Sequence, residues 1–380
     1  MLRYITLACL LTTLFLACPP APPIYTVSDS CPAVGSNDTT PVEGKKPKNI
    51  ILMIGDGMGI TQISAGLYSN SNRLELERFP VVGLHKSYSG DNLVTDSAAG
   101  ATAFSTGVKT YNGAIGVNMD TIAMPTILEA AEEKNMATGL VATSSIVHAT
   151  PASFIAHDEY RKNYEAIAAD FLDTEIDIFV GGGKKFFDRR ETDERNLSRE
   201  LKERGYRVES YLGKDINKLK IDTEKNFAYF TADAEPLPVS QGRDYLLPAV
   251  ETSVSYLSSK AGNRGFFLMV EGSQIDWGGH ANNSEYIITE MLDFDGTVGK
   301  VLDFAARDGN TLVIVTADHE TGGYAINYGS KLDSIIPAFT SDYHTADLIP
   351  VFAYGPGAEI FSGIYENTAI YTKMMTLLSL

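Results

Sequence analysis

The residues with the most chemical reach in this 380-residue chain are acids and histidines that follow apolar runs. Lys48–Gly59 (KNIILMIGDGMG) is continuously apolar until it stops at Asp56, held between two glycines. Phe266–Val270 runs into Glu271 and then Asp276 and His280, while Thr311–Thr316 runs into Asp318 and His319. Mixed carboxylate and imidazole sets suit divalent metals, imidazole favouring Zn2+ and all-oxygen sets favouring Mg2+. His148 and His344 also fall near the ends of apolar runs, so four of the six histidines stand where such a site would gather. Taken singly, each has an ordinary reading: Asp56, Glu271 and Asp276 as helix caps, His319 as a hydrogen-bonded core residue. The same pattern at three strand ends favours a shared metal centre.

A nucleophile is available in Val94–Ala103 (VTDSAAGATA). Ser97 precedes a run of small residues suited to a helix start packed tightly on its neighbours, with its hydroxyl and free N–H groups facing a crevice. Two readings are open for it: an N-cap, the common role of serine there, and a hydroxyl made nucleophilic by an adjacent metal.

These residues require a scaffold that brings strand ends together. Ile50–Ile54 reads as a strand buried on both faces, because it is apolar and β-branched without alternation. Further strand candidates are Gly139–Thr143, Ile176–Val180, Phe266–Val270, Thr311–Thr316 and Leu348–Tyr354. Helical stripes alternate with them, at Tyr164, Ile167, Ala168, Phe171 and Leu172, and at Ile287, Met291, Phe294, Val298, Val301, Leu302 and Ala305. The alternation predicts an α/β fold, a doubly wound, mostly parallel sheet with helices on both faces, whose ligands collect beyond the carboxyl ends of the strands. Lys184–Leu247 breaks the rhythm and reads as an insertion (184–247) lying over one edge.

Residues 1–17 carry one early cation, Arg3, and an apolar core too short to span a bilayer, the pattern of a secretion signal. Cys18 follows a small residue, so two outcomes are open: lipidation of Cys18, or plain cleavage. Cys9 leaves with the signal, and Cys18 and Cys31 allow at most one disulfide. Residues 18–47, rich in Pro, Ser, Thr and Asp, read as a flexible tether, and 48–380 as the catalytic domain. A net charge of −17 argues against a nucleic-acid partner, since nothing resembles a basic stripe that could replace counterions. An acidic chain still accepts an anion where metals or an arginine set the local field.

The segments GDGMG, VTDSAAGATAFSTGVKTYNGAIGV, HATPASFIAH, EGSQIDWGGHANN, VIVTADHETGG and YHTADLIPVFAYGPG occur in order across residues 49–357. Together they resemble the motifs of the alkaline phosphatase family. The resemblance implies an exported homodimer, periplasmic or membrane-anchored, that hydrolyses small-molecule phosphate monoesters through a phosphoserine, with two Zn2+ and one Mg2+. It implies that Asp276, His280 and His344 hold the first zinc, and Asp318, His319 and Asp56 the second, with Ser97 facing it. Asp56 would bridge to magnesium, with Thr150 and Glu271 as further ligands. Arg161 falls at the position of the phosphate-clamping arginine, with Asp96 orienting it. Two residues depart from the best-known bacterial pattern: His148 replaces an aspartate near the magnesium, and Trp277 replaces a lysine near the phosphate, a resemblance to marine or cold-adapted members. Rival expectations are a phosphodiesterase or sulfatase on the same scaffold, and a non-catalytic phosphate- or metal-binding lipoprotein. Sulfatases of that kind modify a Cys or Ser followed by Pro and Arg, which Ala98-Ala99-Gly100 does not supply. His85 reads as an ordinary core histidine.

Overall fold

Ile50, Leu52 and Ile54 face one hydrophobic core while Ile51 and Met53 face another, so the first strand is buried on both sides as its unbroken apolar run requires. The computed structural model describes residues 44–219 and 221–380. The secretion signal, most of the tether, Cys18 and Cys31 lie outside these residues. Of the tether's last residues, Lys45 donates to the Gly309 carbonyl at 2.7 Å and Lys46 to Ser379 Oγ at 2.8 Å.

In chain order the strands are β1 (Asn49–Gly55), β2 (Val81–Lys86), β3 (Ala137–Ser145), β4 (Ile178–Gly182), β5 (Arg207–Ser210), β6 (Phe227–Phe230) and β7 (Phe266–Gly272), then β8 (Thr311–Thr316), β9 (Glu320–Thr321), β10 (Ala325–Ile326), β11 (Pro337–Ala338), β12 (His344–Thr345), β13 (Leu348–Tyr354) and β14 (Gly363–Glu366). Ten of them form one sheet in the order β14-β2-β13-β8-β1-β7-β3-β4-β6-β5. Only β13 runs against the others, pairing antiparallel with both β2 and β8. At the centre β8, β1, β7 and β3 are all parallel, so their carboxyl ends open on the same edge.

Helices cover both faces. Ser97–Thr106 and Ile127–Glu133 contribute Ala98, Ala101, Phe104 and Leu128 to one core. Leu246–Ala261 and the long helix Ser284–Asp308 contribute Val250, Leu257, Met291, Phe294 and Val298 to the other. The expected doubly wound α/β architecture is the one observed.

Lys184–Leu247 departs from expectation. Instead of lying over an edge, it forms that edge: β6 pairs parallel with β4, and β5 parallel with β6. Four-residue strands such as RVES give no periodicity to read, and β5 is only half-buried. β2 and β14, on the opposite side, also escaped prediction. Gly83 interrupts β2, and a Cβ there would meet the Phe361 carbonyl oxygen at 2.0 Å, so the backbones approach too closely for a side chain.

Candidate active site

Four central strands deliver the acids and their neighbours. Asp56 follows β1 directly, Glu271 lies near the end of β7, Asp318 and His319 follow β8, and beyond β3 come His148 and, in the short helix Ala149–Ala152, Thr150. None of the three acids is a helix cap. The helix Ile60–Ser69 is capped by Gly59, without a side-chain bond. Glu271 lies in a strand, and Asp276 is inside the helix Gln274–His280. That short helix places Asp276 and His280 four residues apart on one face, with His280 Nε2 3.4 Å from Asp276 Oδ2.

His344 arrives by a different device. Its two-residue strand β12 pairs antiparallel with β9, immediately after His319. The pairing sets the His344 ring against His319, centroids 3.5 Å apart, and brings its Nε2 to 3.1 Å from His280 Nε2 and 3.5 Å from Asp276 Oδ1.

The orientation of these rings is chemically specific. His280 Nδ1 lies 2.7 Å from the Asp342 carbonyl and His344 Nδ1 lies 2.8 Å from the Thr95 carbonyl. A carbonyl can only accept, so both Nδ1 atoms carry hydrogen and both Nε2 lone pairs turn inward, the arrangement seen at metal-ligating imidazoles. His319 Nδ1 is 3.2 Å from Thr321 Oγ1, whose own hydrogen goes to Asp276 Oδ1. His319 Nε2 then points at Asp318 Oδ2 (3.3 Å) and Asp56 Oδ1 (3.5 Å).

Among the described residues, three groups have ligand atoms mutually within 4.8 Å: Asp56 with Asp318 and His319, Asp56 with His148 and Glu271, and Asp276 with His319 and His344. The first has the members of the expected second zinc set, while the second shares Asp56 and Glu271 with the expected magnesium set and has His148 where Thr150 was expected. The third takes His319 where His280 was expected. Yet His280 Nε2 approaches both Asp276 and His344 as closely as His319 approaches its own partners, so the expected trio also converges.

The donor set fits cations. Both Asp56 oxygens, Asp318 Oδ2, Glu271 Oε1, Thr150 Oγ1 and His148 Nδ1 are buried without a hydrogen-bond partner among the described residues. So many orphaned acceptors in one place are costly unless something positive satisfies them. Burial, then the mutual repulsion of the acids, raises Asp56 well above the usual carboxylate range; Asp318 and Glu271 rise to about 7, burial again being the main cause. Burial and the neighbouring imidazoles hold His319 neutral, and burial followed by Arg161 lowers His148 to about 3.

Ser97 is not the cap of its helix. Asp96 is, accepting from Ala99 N at 3.0 Å. The Ser97 hydroxyl is therefore free of capping duty and lies 3.3 Å from His319 Nε2. Gly100 lets the helix approach so closely, since a Cβ there would stand 2.9 Å from Asp318 Cβ. The other Asp96 oxygen accepts from Arg161 Nη1 at 2.9 Å. Burial opposes the Arg161 charge, but Asp96, Asp56 and Asp276 more than compensate and raise its pKa. Trp277 meets His148 edge-on with ring centroids 6.1 Å apart, the position of a packing residue beside the site.

Several supporting residues were not foreseen. Ser144 Oγ and Ser273 Oγ both donate to Glu271 Oε2, at 3.1 and 2.6 Å. Glu320 accepts from Gln62, Gly323, Tyr324 and Thr345, tying the His319 loop to the His344 strand. For Ser273 and Glu320, their place within the site motifs (EGS, DHET) was the available signal.

The family model for alkaline phosphatase matches residues 47–338. The chain is 41% identical to alkaline phosphatase 3 of Bacillus subtilis, with 90% of this chain and 91% of that protein covered. It is 32% identical to the alkaline phosphatase of Escherichia coli, over 88% and 87% of the two chains. Among solved structures, the alkaline phosphatase of the Antarctic bacterium TAB5 superposes with a TM-score of 0.84 at 44% identity, covering 88% of this chain and 99% of that one. A His-to-Asp variant of that protein, with a TM-score of 0.81 at 44% identity over the same shares of the two chains, is described with Mg bound in its M3 site. With this metal-ready crevice at the carboxyl edge of its sheet, the chain belongs to the alkaline phosphatase family and is a metal-dependent phosphomonoester hydrolase.

Proposed function

We propose that the protein hydrolyses phosphate monoesters by double displacement through a phosphoserine at Ser97, with two Zn2+ and one Mg2+ as cofactors. Asp276, His280 and His344 would hold the first zinc, and Asp56, Asp318 and His319 the second. Asp56, Thr150 and Glu271 would hold magnesium, with His148 beside them. Bound dications would supply the charge that lowers the pKa of a nearby hydroxyl and neutralises phosphoryl oxygens. The observation that carries the reading is the Ser97 hydroxyl, released from capping by Asp96 and set 3.3 Å from His319 Nε2 amid unsatisfied carboxylates.

Ser97 Oγ passes its proton to water in the crevice and attacks phosphorus in line with the departing oxygen, which takes a proton from water as it leaves as the alcohol, so one P–O bond forms as the other breaks. Arg161 grips two phosphoryl oxygens with its fork, while Asp96 holds the guanidinium in place. Water then attacks the phosphoserine from the opposite side and releases inorganic phosphate. A diester offers Arg161 one fewer charged oxygen and crowds it with a second substituent, so aryl phosphate should be turned over much faster than aryl methyl phosphate.

His148 sets the character of the third site. Imidazole is a poorer partner for magnesium than carboxylate. The Mg-bound His-to-Asp variant of the TAB5 protein supports the expectation that His148→Asp tightens Mg2+ binding here. The leader pattern supports export, with Cys18 as a candidate lipid anchor, and the family resemblance supports a homodimer. The deciding experiment is metal analysis of the purified protein with phosphatase activity before and after chelation. Full activity without metals, or a phosphopeptide that does not contain Ser97, would overturn the assignment.

A further inference from the structure

Beside the crevice stands a half-exposed tyrosine that the mechanism above does not use. Tyr343 directly precedes His344, and its ring stacks on the His344 ring at 4.4 Å and 11°, with the His280 ring 5.9 Å away. Its backbone is held at both ends: the N–H donates to Ser341 Oγ at 2.9 Å, and the carbonyl accepts from Gly322 N at 2.9 Å. The residue is 49% exposed, so one ring face is covered by His344 while much of the rest meets solvent. A large, rigidly mounted aromatic left half in water beside a polar site is unfavourable alone, and is the usual form of an apolar contact surface for a ligand.

In-line displacement fixes which part of the substrate comes near it. Ser97 attacks from beside His319 Nε2, so the departing oxygen lies across phosphorus from it, toward the side where His280 extends the row of rings begun by His319 and His344. Tyr343, its ring 5.9 Å from the His280 ring and half-exposed, stands on that side, where the organic group on that oxygen would extend. We propose that Tyr343 is a specificity-determining residue whose exposed ring packs against the leaving group, favouring monoesters of aryl and other flat, apolar alcohols over those of small polar alcohols. The inference rests on the phosphomonoesterase reading and adds the class of alcohol to it.

Covering one aromatic face is worth about a five- to tenfold preference. The test uses the metal-loaded, full-length protein with Tyr343→Ala, Tyr343→Leu and Tyr343→Phe. Two quantities are read: the ratio of kcat/KM for phenyl phosphate to that for glycerol phosphate, and the ratio of calorimetric Kd values for methylphosphonate and phenylphosphonate. Tyr343→Ala should lower both ratios about five- to tenfold, Tyr343→Leu by less, and Tyr343→Phe hardly at all, because the ring and not the hydroxyl makes the contact. Ratios unchanged in Tyr343→Ala, or equal losses for both substrates with accompanying zinc loss, would reduce Tyr343 to a support for His344 and overturn the proposal. If the unmodified protein turned over neither ester yet still preferred phenylphosphonate in a Tyr343-dependent way, the contact surface would stand and the hydrolytic reading would fail.

Discussion

Asp96 performs two separable tasks, and substituting it dissects them. One carboxylate oxygen caps the helix that begins with Ser97, and the other holds Arg161 Nη1 at 2.9 Å. Asp96→Asn keeps a good capping acceptor, so helix stability should change little, whereas Asp96→Ala forfeits about 1 kcal/mol of capping. For a chain of this size that is a fall in Tm of about 2 °C. Both variants lose the charge pair. The Arg161 and Asp96 side chains are 20% and 8% exposed, so the guanidinium is neither deeply buried nor freely solvated. Releasing it should cost transition-state positioning of about 1.4 kcal/mol, a tenfold fall in kcat/KM. Thermal unfolding and steady-state kinetics on an aryl phosphate measure the two effects separately. A double-mutant cycle with Arg161→Ala should show strong coupling in kcat/KM, because Asp96 acts on the substrate only through Arg161. Additive kinetic losses in that cycle, or an Asp96→Asn protein as unstable as Asp96→Ala, would refute the division of labour.

Ser97→Ala should remove the trappable phosphoserine and lower kcat by about a thousandfold or more, leaving slow hydrolysis driven by the remaining site; single-turnover mass analysis reads both. Gly57 has φ +71°, and a Cβ there would stand 2.7 Å from Asp276 Cα and from Thr321 Oγ1. Gly57→Ala should therefore cost about 2–4 kcal/mol and weaken metal retention, checked by calorimetry and metal analysis. His85 is buried with its pKa lowered to about 4, mainly by desolvation, and Nε2 bonded to the Ala317 carbonyl. Because the folded pKa lies below the unfolded value of 6.5, stability is intact above pH 6.5 and is lost as pH falls toward 4, by about 3 kcal/mol at most. His85→Gln, which keeps a donor but does not titrate, should flatten stability across that window, as followed by urea unfolding at several pH values. Chelation should lower Tm, since a metal at a thousand times its Kd stabilises the folded state by about 4 kcal/mol.

The central strands were legible because burial on both faces demands unbroken apolar runs. Thr311–Thr316 and Leu348–Tyr354 have the expected bounds, β1, β3 and β4 differ from expectation by one or two residues at each end, and β7 starts as expected and runs two residues longer. The antiparallel direction of β13 was not legible, since a buried strand has the same composition whichever way it runs. β5, β6 and β14, only four residues each, are too brief to set a period.

The same contrast runs through the site. Sequence alone determined which residues could act, since an acid or histidine at the end of a buried strand leaves little other use for itself, and the motifs carry the family with them. Only the tertiary structure decided that Asp96 and not Ser97 caps its helix, that His344 reaches the cluster through a two-residue ribbon, and that His148 joins Asp56 and Glu271. Side-chain type is local information, whereas convergence depends on sheet order and strand direction, which place residues more than two hundred positions apart within a few ångströms. Ser97 and His319 owe their contact to that long-range packing alone.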